Sequence, residues 1–158
     1  MIELFKRLIR LYEEIPLNFL VALMARFAAG LVFFKSGLTK IEWYTKPDAS
    51  FFERLVIKPS TFFLFDAEYS VPLLPAVPAA YIGTISELVL PILLWIGLGT
   101  RVSATMLLGM TAVIQIFNYP GAYGLHALWA VALLYLMANG PGVLSVDHYL
   151  RKNYMDGK

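Results

Sequence analysis

Residues Pro16–Leu38 read PLNFLVALMARFAAGLVFFKSGL, an apolar run broken by one arginine near its centre and one lysine near its end. A helix of roughly 20 apolar residues crosses the hydrocarbon core of a bilayer. The run is long enough, so it predicts a membrane span with Arg26 inside the membrane. Three more runs read the same way, at about 78–98, 102–117 and 122–137. The last two are short and extend into the neighbouring turns or sit where the bilayer is thin. The expected fold is an all-α integral membrane four-helix bundle in a single domain, residues 1–158. An interfacial helix precedes it, and a long outer loop joins spans one and two.

Composition agrees. Hydrophobic residues make up 59% of the 158 residues, against about 45–50% in a soluble domain, and the mean hydropathy is +0.67. The net charge of +2 and the lack of a basic stripe interleaved with stacking aromatics give no case for nucleic acid. There is no cysteine. That removes disulfides, thiol chemistry, iron–sulfur ligation and cysteine-based zinc sites. A redox role would need a bound organic cofactor, a metal on other ligands, or a partner protein.

Met1–Glu14 alternates apolar and charged residues and reads as an amphipathic helix on the membrane surface. The first span reads as uncleaved. Gly97-Leu98-Gly99-Thr100-Arg101 and Asn118-Tyr119-Pro120-Gly121 are tight turns that force antiparallel neighbours. Gly140-Pro141-Gly142 stops the fourth helix, and Ser145 is placed to cap a short C-terminal helix. Lys6, Arg7, Arg10, Arg101, Arg151, Lys152 and Lys158 fall on one side of the spans. The positive-inside rule puts that side, with both termini, in the cytoplasm. The outer loop, about 39–77, is rich in aromatics and reads as a surface-lying segment or as a lid over an outward-facing pocket.

The chemistry lies in the polar residues inside the spans. Arg26 and Glu87 each sit about midway along a span, roughly 15 Å deep. An isolated charge there costs several kcal/mol, so a pair, direct or through a shared ligand, is the expected compensation. Two roles fit such a pair: fixing helix register, or holding a polar ligand or moving protons. Gly30 and Gly37 share a stripe with Arg26 and Lys40, and Gly83 and Gly97 share one with Glu87. Glycines on those seams predict close helix packing. A second polar group gathers toward the outer end: Lys35, Lys40, Tyr81, Thr84, Gln115, Asn118 and His126. Thr111, Gln115 and Asn118 read as one helix face, and Lys35 as a snorkelling side chain. His126 and the tail residue His148 are too far apart to share a metal in this topology. A haem or copper would need a methionine, a carboxylate or a partner as its second ligand. No metal site is expected from the chain, and no nucleotide loop or nucleophile–base signature is present.

Three motifs together resemble the DoxX family of small four-helix bacterial inner-membrane proteins. They are Arg26-Phe27-Ala28-Ala29-Gly30 with Phe33-Phe34 and Gly37 through Lys40, then Glu87-Leu88 with Gly97 through Arg101, then Gly140-Pro141-Gly142 with Leu144-Ser145-Val146-Asp147. The resemblance implies an inner-membrane location and a redox association. Some relatives are linked to quinone-coupled sulfur oxidation or to complexes that resist oxidative stress. Glu68-Tyr69 through Pro75, with Gln115 and His126, looks like a subgroup found beside enzymes that modify metal-binding peptides. The expectations are a redox membrane subunit holding a quinone-like cofactor between helices with a partner oxidoreductase, or a non-catalytic scaffold, or a small-solute transporter. A homo-oligomer is compatible with each.

Overall fold

The computed structural model describes residues 17–43, 55–69 and 74–154. The expected interfacial helix at Met1–Glu14 and parts of the outer loop lie outside them. Among the described residues, four helices are long and apolar enough to cross a membrane: Leu17–Lys40, Ala76–Ile96, Thr100–Asn118 and Pro120–Asn139. The last two run on into the neighbouring turns, one of the two outcomes their short apolar runs allow.

Helix α1 is Leu17–Lys40 and leads into a small antiparallel hairpin, β1 (Ile41–Trp43) with β2 (Leu55–Ile57). Ile41 stands opposite Ile57. A short helix α2, Pro59–Ala67, follows. Helix α3 spans Ala76–Ile96 and α4 spans Thr100–Val113. The latter runs on through a π-helical turn, Ile114–Asn118. After a 3-10 turn at Pro120–Ala122 come α5, Tyr123–Asn139, and the short α6, Val146–Tyr154. Short turns make consecutive spans antiparallel. One end of the bundle therefore carries the hairpin, α2 and the Tyr119 turn. The other carries the Gly97 turn, the Gly140 stop and α6.

The core is built from small and aliphatic side chains with one phenylalanine: Ala25, Ala29 and Phe33 of α1, Leu90 and Leu94 of α3, Ala104 and Leu107 of α4, and Leu133 and Leu136 of α5. Large apolar residues such as Phe27, Ile85, Val102 and Leu128 point outward and are half-exposed or more. That inversion suits a solvent of lipid tails, where outward apolar side chains carry no penalty and small residues let helices approach.

The glycine at the end of α3 has a specific task. Gly97 takes φ 70°, in the left-handed region that only glycine enters freely. The Leu98 amide then bonds to the Leu93 carbonyl at 2.9 Å, and the Gly97 amide to Leu94 at 3.1 Å. This is a Schellman ending. It leaves carbonyls at the helix C-terminus that need donors from elsewhere in the chain.

Arg26 supplies those donors. Its Nε donates to the Leu94 carbonyl at 2.7 Å, and one terminal nitrogen donates to Trp95. The other donates to Pro141 at 3.0 Å and Leu144 at 2.7 Å. A cation at a helix C-terminus also meets the negative end of the helix dipole. Around this knot, Asp147 accepts from the amides of Gly99 and Thr100 at 2.8 and 2.9 Å, capping α4. The Asp147 amide donates to Gly97 at 2.9 Å. The Ser145 hydroxyl oxygen accepts from His148 N–H at 3.1 Å and starts α6. Part of each of the three motifs quoted above thus meets at one end of the bundle: Arg26, Gly97 through Thr100, and Pro141 through Asp147.

Replacing Arg26 by Met is expected to lower stability by at least about 3 kcal/mol, since four backbone carbonyls lose their charged donor. Arg26→Lys should recover only part, because an ammonium cannot fork over four separated acceptors. Thermal melts in detergent would check both; a melting point unchanged in Arg26→Met contradicts the assignment.

Candidate functional site

The expectation that Arg26 pairs with Glu87 is corrected by the structure. Helices α1 and α3 are staggered, not level. Arg26 faces the carbonyl end of α3, while Glu87 lies beside Ser36 and Lys40. About 15 Å of helix rise separates Arg26 from Ser36. Depth counted from span midpoints cannot detect a stagger, which packing sets. A Cβ on Gly37 would meet Leu88 Cδ2 at 2.9 Å and Glu87 Cβ at 3.1 Å, so this glycine brings α1 directly against α3 at that level. Gly30 receives the Trp95 indole, Gly83 receives Phe65 of α2, and Gly97 receives Ser145.

The partner of Glu87 is Lys40. Its Nζ donates to Glu87 Oε2 at 2.5 Å and to Ser36 Oγ at 2.8 Å. Ser36 in turn donates to Glu87 Oε1 at 3.2 Å. Lys40 and Glu87 are only 3% and 6% exposed. The residues after β2 hold this triangle down: the Lys40 carbonyl accepts from Lys58 N–H at 3.0 Å and from the Thr61 hydroxyl of α2 at 2.9 Å. The sequence did contain a signal. Ser36 and Lys40 are one helical turn apart, on the face that points at α3.

Pro91, one turn below Glu87, lacks the N–H that would bond the Glu87 carbonyl. Beside Glu87 opens a cavity of about 340 Å³. Phe33, Ile82, Met110 and Trp129 give it apolar walls, and Glu87, Asn118 and His126 stand on its polar side. Phe65 and Tyr69 roof it from α2 and the residues just after it.

His126 is buried, with its ring 4.9 Å from that of Trp129. Its Nδ1 lies 2.6 Å from Gln115 Oε1. Gln115 Nε2 donates to the Pro120 carbonyl at 2.8 Å, which fixes the amide orientation. Nδ1 is therefore the protonated nitrogen, and in the neutral ring Nε2 is left as an acceptor.

The π-turn changes the face that α4 presents. Tyr119 N–H bonds back to Ile114 at 2.8 Å, an i to i+5 step. Thr111 and Gln115 consequently line a smaller cleft of about 170 Å³, which His126 also borders. Asn118 turns instead to the main cavity. The three do not share one face as the α-helical period implies. π-turns of this kind recur at functional sites.

At the mouth, Tyr119 donates to Glu68 and approaches the Tyr69 hydroxyl at 3.5 Å. The hydrogen bond to Glu68 raises the Tyr119 phenol above its ordinary pKa. This contact ties the end of α2 to the α4–α5 turn. Tyr81 lies elsewhere, half-exposed and stacked on Phe62 at 5.5 Å. Lys35 is exposed. His148 lines a shallow groove at the opposite end of the bundle. The cavity therefore gathers Glu87, Asn118 and His126, with Lys40 and Gln115 immediately behind, and leaves out Arg26 and Tyr81. Tyr69, marked in the sequence only within the Glu68–Pro75 stretch, completes it with Ser36, Tyr119 and Trp129, which sequence reasoning did not single out as site residues. Each becomes a site residue only through contacts between distant segments.

A four-span helical bundle with a buried ion pair beside an apolar pocket defines a multi-pass membrane protein with a ligand-sized cavity. Residues 21–120 match the family model for DoxX, and the chain belongs to the DoxX family. Neither a curated protein nor a solved structure gives a match.

The buried pair should behave as a unit. Lys40→Met and Glu87→Gln are each expected to destabilise by roughly 3–5 kcal/mol, leaving a polar group unpaired. The double variant should cost clearly less than the sum. Additive losses in a double-mutant cycle would show that the two do not interact.

Proposed function

We propose that the protein is a redox-linked membrane subunit that binds the ring of a quinone-type isoprenoid lipid in the Glu87–His126 cavity and serves a partner oxidoreductase. The observation that carries this is the cavity itself. Its volume of about 340 Å³ falls at the small end of the range of small-molecule pockets, roughly 300–1,000 Å³. It is apolar with a few convergent polar groups, which is the composition expected for a lipid-soluble ring with oxygens at its edge. Trp129 and Phe33 offer flat faces for the ring. Glu87, Asn118 and His126 are within the same wall to orient its oxygens or exchange protons with them. A bound quinone would supply a two-electron, two-proton carrier. Cysteine is absent from the chain, so the electrons are assigned to the partner.

Protein in lipid nanodiscs should show saturable quenching of Trp129 fluorescence by a short-chain benzoquinone. His126→Phe, which removes one hydrogen-bonding edge, should weaken binding about fivefold or more. Quenching that does not saturate, together with no quinone in solvent extracts of the purified protein, would count decisively against this reading.

We place the end carrying the Gly97 turn and α6 in the cytoplasm of a bacterial inner membrane. Arg101, Arg151 and Lys152 at that end support the assignment through the positive-inside bias. A cysteine introduced at Lys152 should be labelled by an impermeant maleimide only after cells are opened. Labelling in intact spheroplasts would reverse the orientation.

A further inference from the structure

We propose that the groove at the α6 end of the bundle holds the headgroup phosphate of an anionic phospholipid, with the apolar stripe of α6 lying in the same leaflet. The groove is at the far end of the bundle from the ring cavity, so the inference does not depend on the function proposed above.

Helix α6 reads Val146-Asp147-His148-Tyr149-Leu150-Arg151-Lys152-Asn153-Tyr154. At 100° per residue, Val146, Tyr149, Leu150 and Tyr154 fall on one side, and Asp147, His148, Arg151 and Lys152 on the other. No residue of α6 is buried. Tyr149 and Tyr154 are 65% and 74% exposed, so the apolar stripe is not packed on the bundle. What covers it follows from where it sits. The helix starts shortly after the last span ends at Asn139. At the same end, exposed Val102, Val143 and Leu144 continue the apolar surface of the spans. A helix with tyrosine and leucine on one side and arginine and lysine on the other, next to a span, suits the plane of the membrane interface.

The polar side of α6 is fixed. The two Asp147 oxygens accept from the Gly99 and Thr100 amides at 2.8 and 2.9 Å, and the Asp147 amide donates to Gly97 at 2.9 Å. This sets α6 against the start of α4 and leaves a groove of about 440 Å³. Arg101 of α4 lines it together with His148 and Arg151 of α6. Arg101 is steered by its own contacts. Its Nη2 donates to the Ala138 carbonyl at 3.3 Å, and its Nε would lie 3.8 Å from a Cβ on Gly140.

Two features select the ligand. The α4 amides held by Asp147 are closed to a second anion, so the attraction rests on two guanidiniums, the groups best matched to phosphate oxygens. In addition, Val102 and Val143, both more than half exposed, give the same groove an apolar wall. A free phosphate gains nothing from that wall. A phospholipid does: its phosphate meets the arginines while its glycerol and first acyl carbons lie along the valines. An anionic headgroup is favoured because a zwitterionic one brings its own ammonium to a cationic site.

The whole chain, purified in neutral detergent, is titrated with dioctanoyl phosphatidylglycerol, dioctanoyl phosphatidylcholine and inorganic phosphate, and bound species are counted by native mass spectrometry. Phosphatidylglycerol should bind at least about tenfold more tightly than phosphatidylcholine, and phosphate should not compete with it at equal concentration. Arg101→Gln and Arg151→Gln should each weaken phosphatidylglycerol binding about fivefold, the loss of one cation beside an anionic lipid. Lys152→Gln removes the same charge from α6 but not from the groove wall, and should weaken binding less than about twofold. All three side chains are exposed, so the fold should survive, as lipid-free melts will show. Equal binding of the two lipids to the unaltered protein overturns the inference, whatever the variants do. Phosphate that competes as well as the lipid makes the groove a site for soluble anions and overturns it too. An equal loss in Lys152→Gln and the arginine variants reduces the effect to general surface charge and removes the site.

Discussion

A guanidinium closed around four backbone carbonyls organises one whole end of this bundle. Water is the usual partner for the open carbonyls at a helix C-terminus. Arg26 replaces it, collecting Leu94 and Trp95 from α3 and Pro141 and Leu144 from the segment after α5. The cost of burying the cation and the cost of burying the carbonyls offset each other. Asp147 performs the complementary task at the start of α4, where unpaired amides need an acceptor. Cation on carbonyl end and carboxylate on amide end together join α1, α3, α4 and α6 without any direct ion pair between the two side chains.

That arrangement releases Glu87 from any structural duty toward Arg26. The stagger between α1 and α3 puts it beside Lys40 near the hairpin end, where Gly37 permits close backbone approach. The ion pair stands at the edge of the cavity and not sealed within a seam. The two intramembrane charges that look alike in the sequence thus divide their roles. One serves backbone groups and is removed from any ligand. The other is held in place yet presents an oxygen surface to a space between the helices.

The cavity owes its shape to irregularity. A regular α4 would carry Gln115 and Asn118 on one face. The π-turn separates them, so Gln115 supports His126 from behind while Asn118 faces the cavity. The short helix α2 closes the top by lodging Phe65 against Gly83, where any side chain would obstruct it. The Glu68–Tyr119 bond fastens that roof to the far side of the bundle.

The amino-acid sequence alone determined the four apolar spans, their antiparallel order, the Gly97 and Tyr119 turns and the family. These follow from local properties: hydropathy over a fixed length, glycine and proline punctuation, and motifs of contiguous residues. It also marked Arg26, Lys40, Glu87, Gln115, Asn118 and His126 as polar groups that a membrane must compensate. The compensating partners were decided only by tertiary structure. Helix phase fixes which face a residue occupies but not the axial offset between two helices, and a residue count cannot foresee a π-turn. Pairing Arg26 with Glu87 was the natural reading of depth and charge. It failed because close packing at Gly37 and the carbonyl demand at the end of α3, both properties of segments brought together from distant parts of the chain, set the register instead.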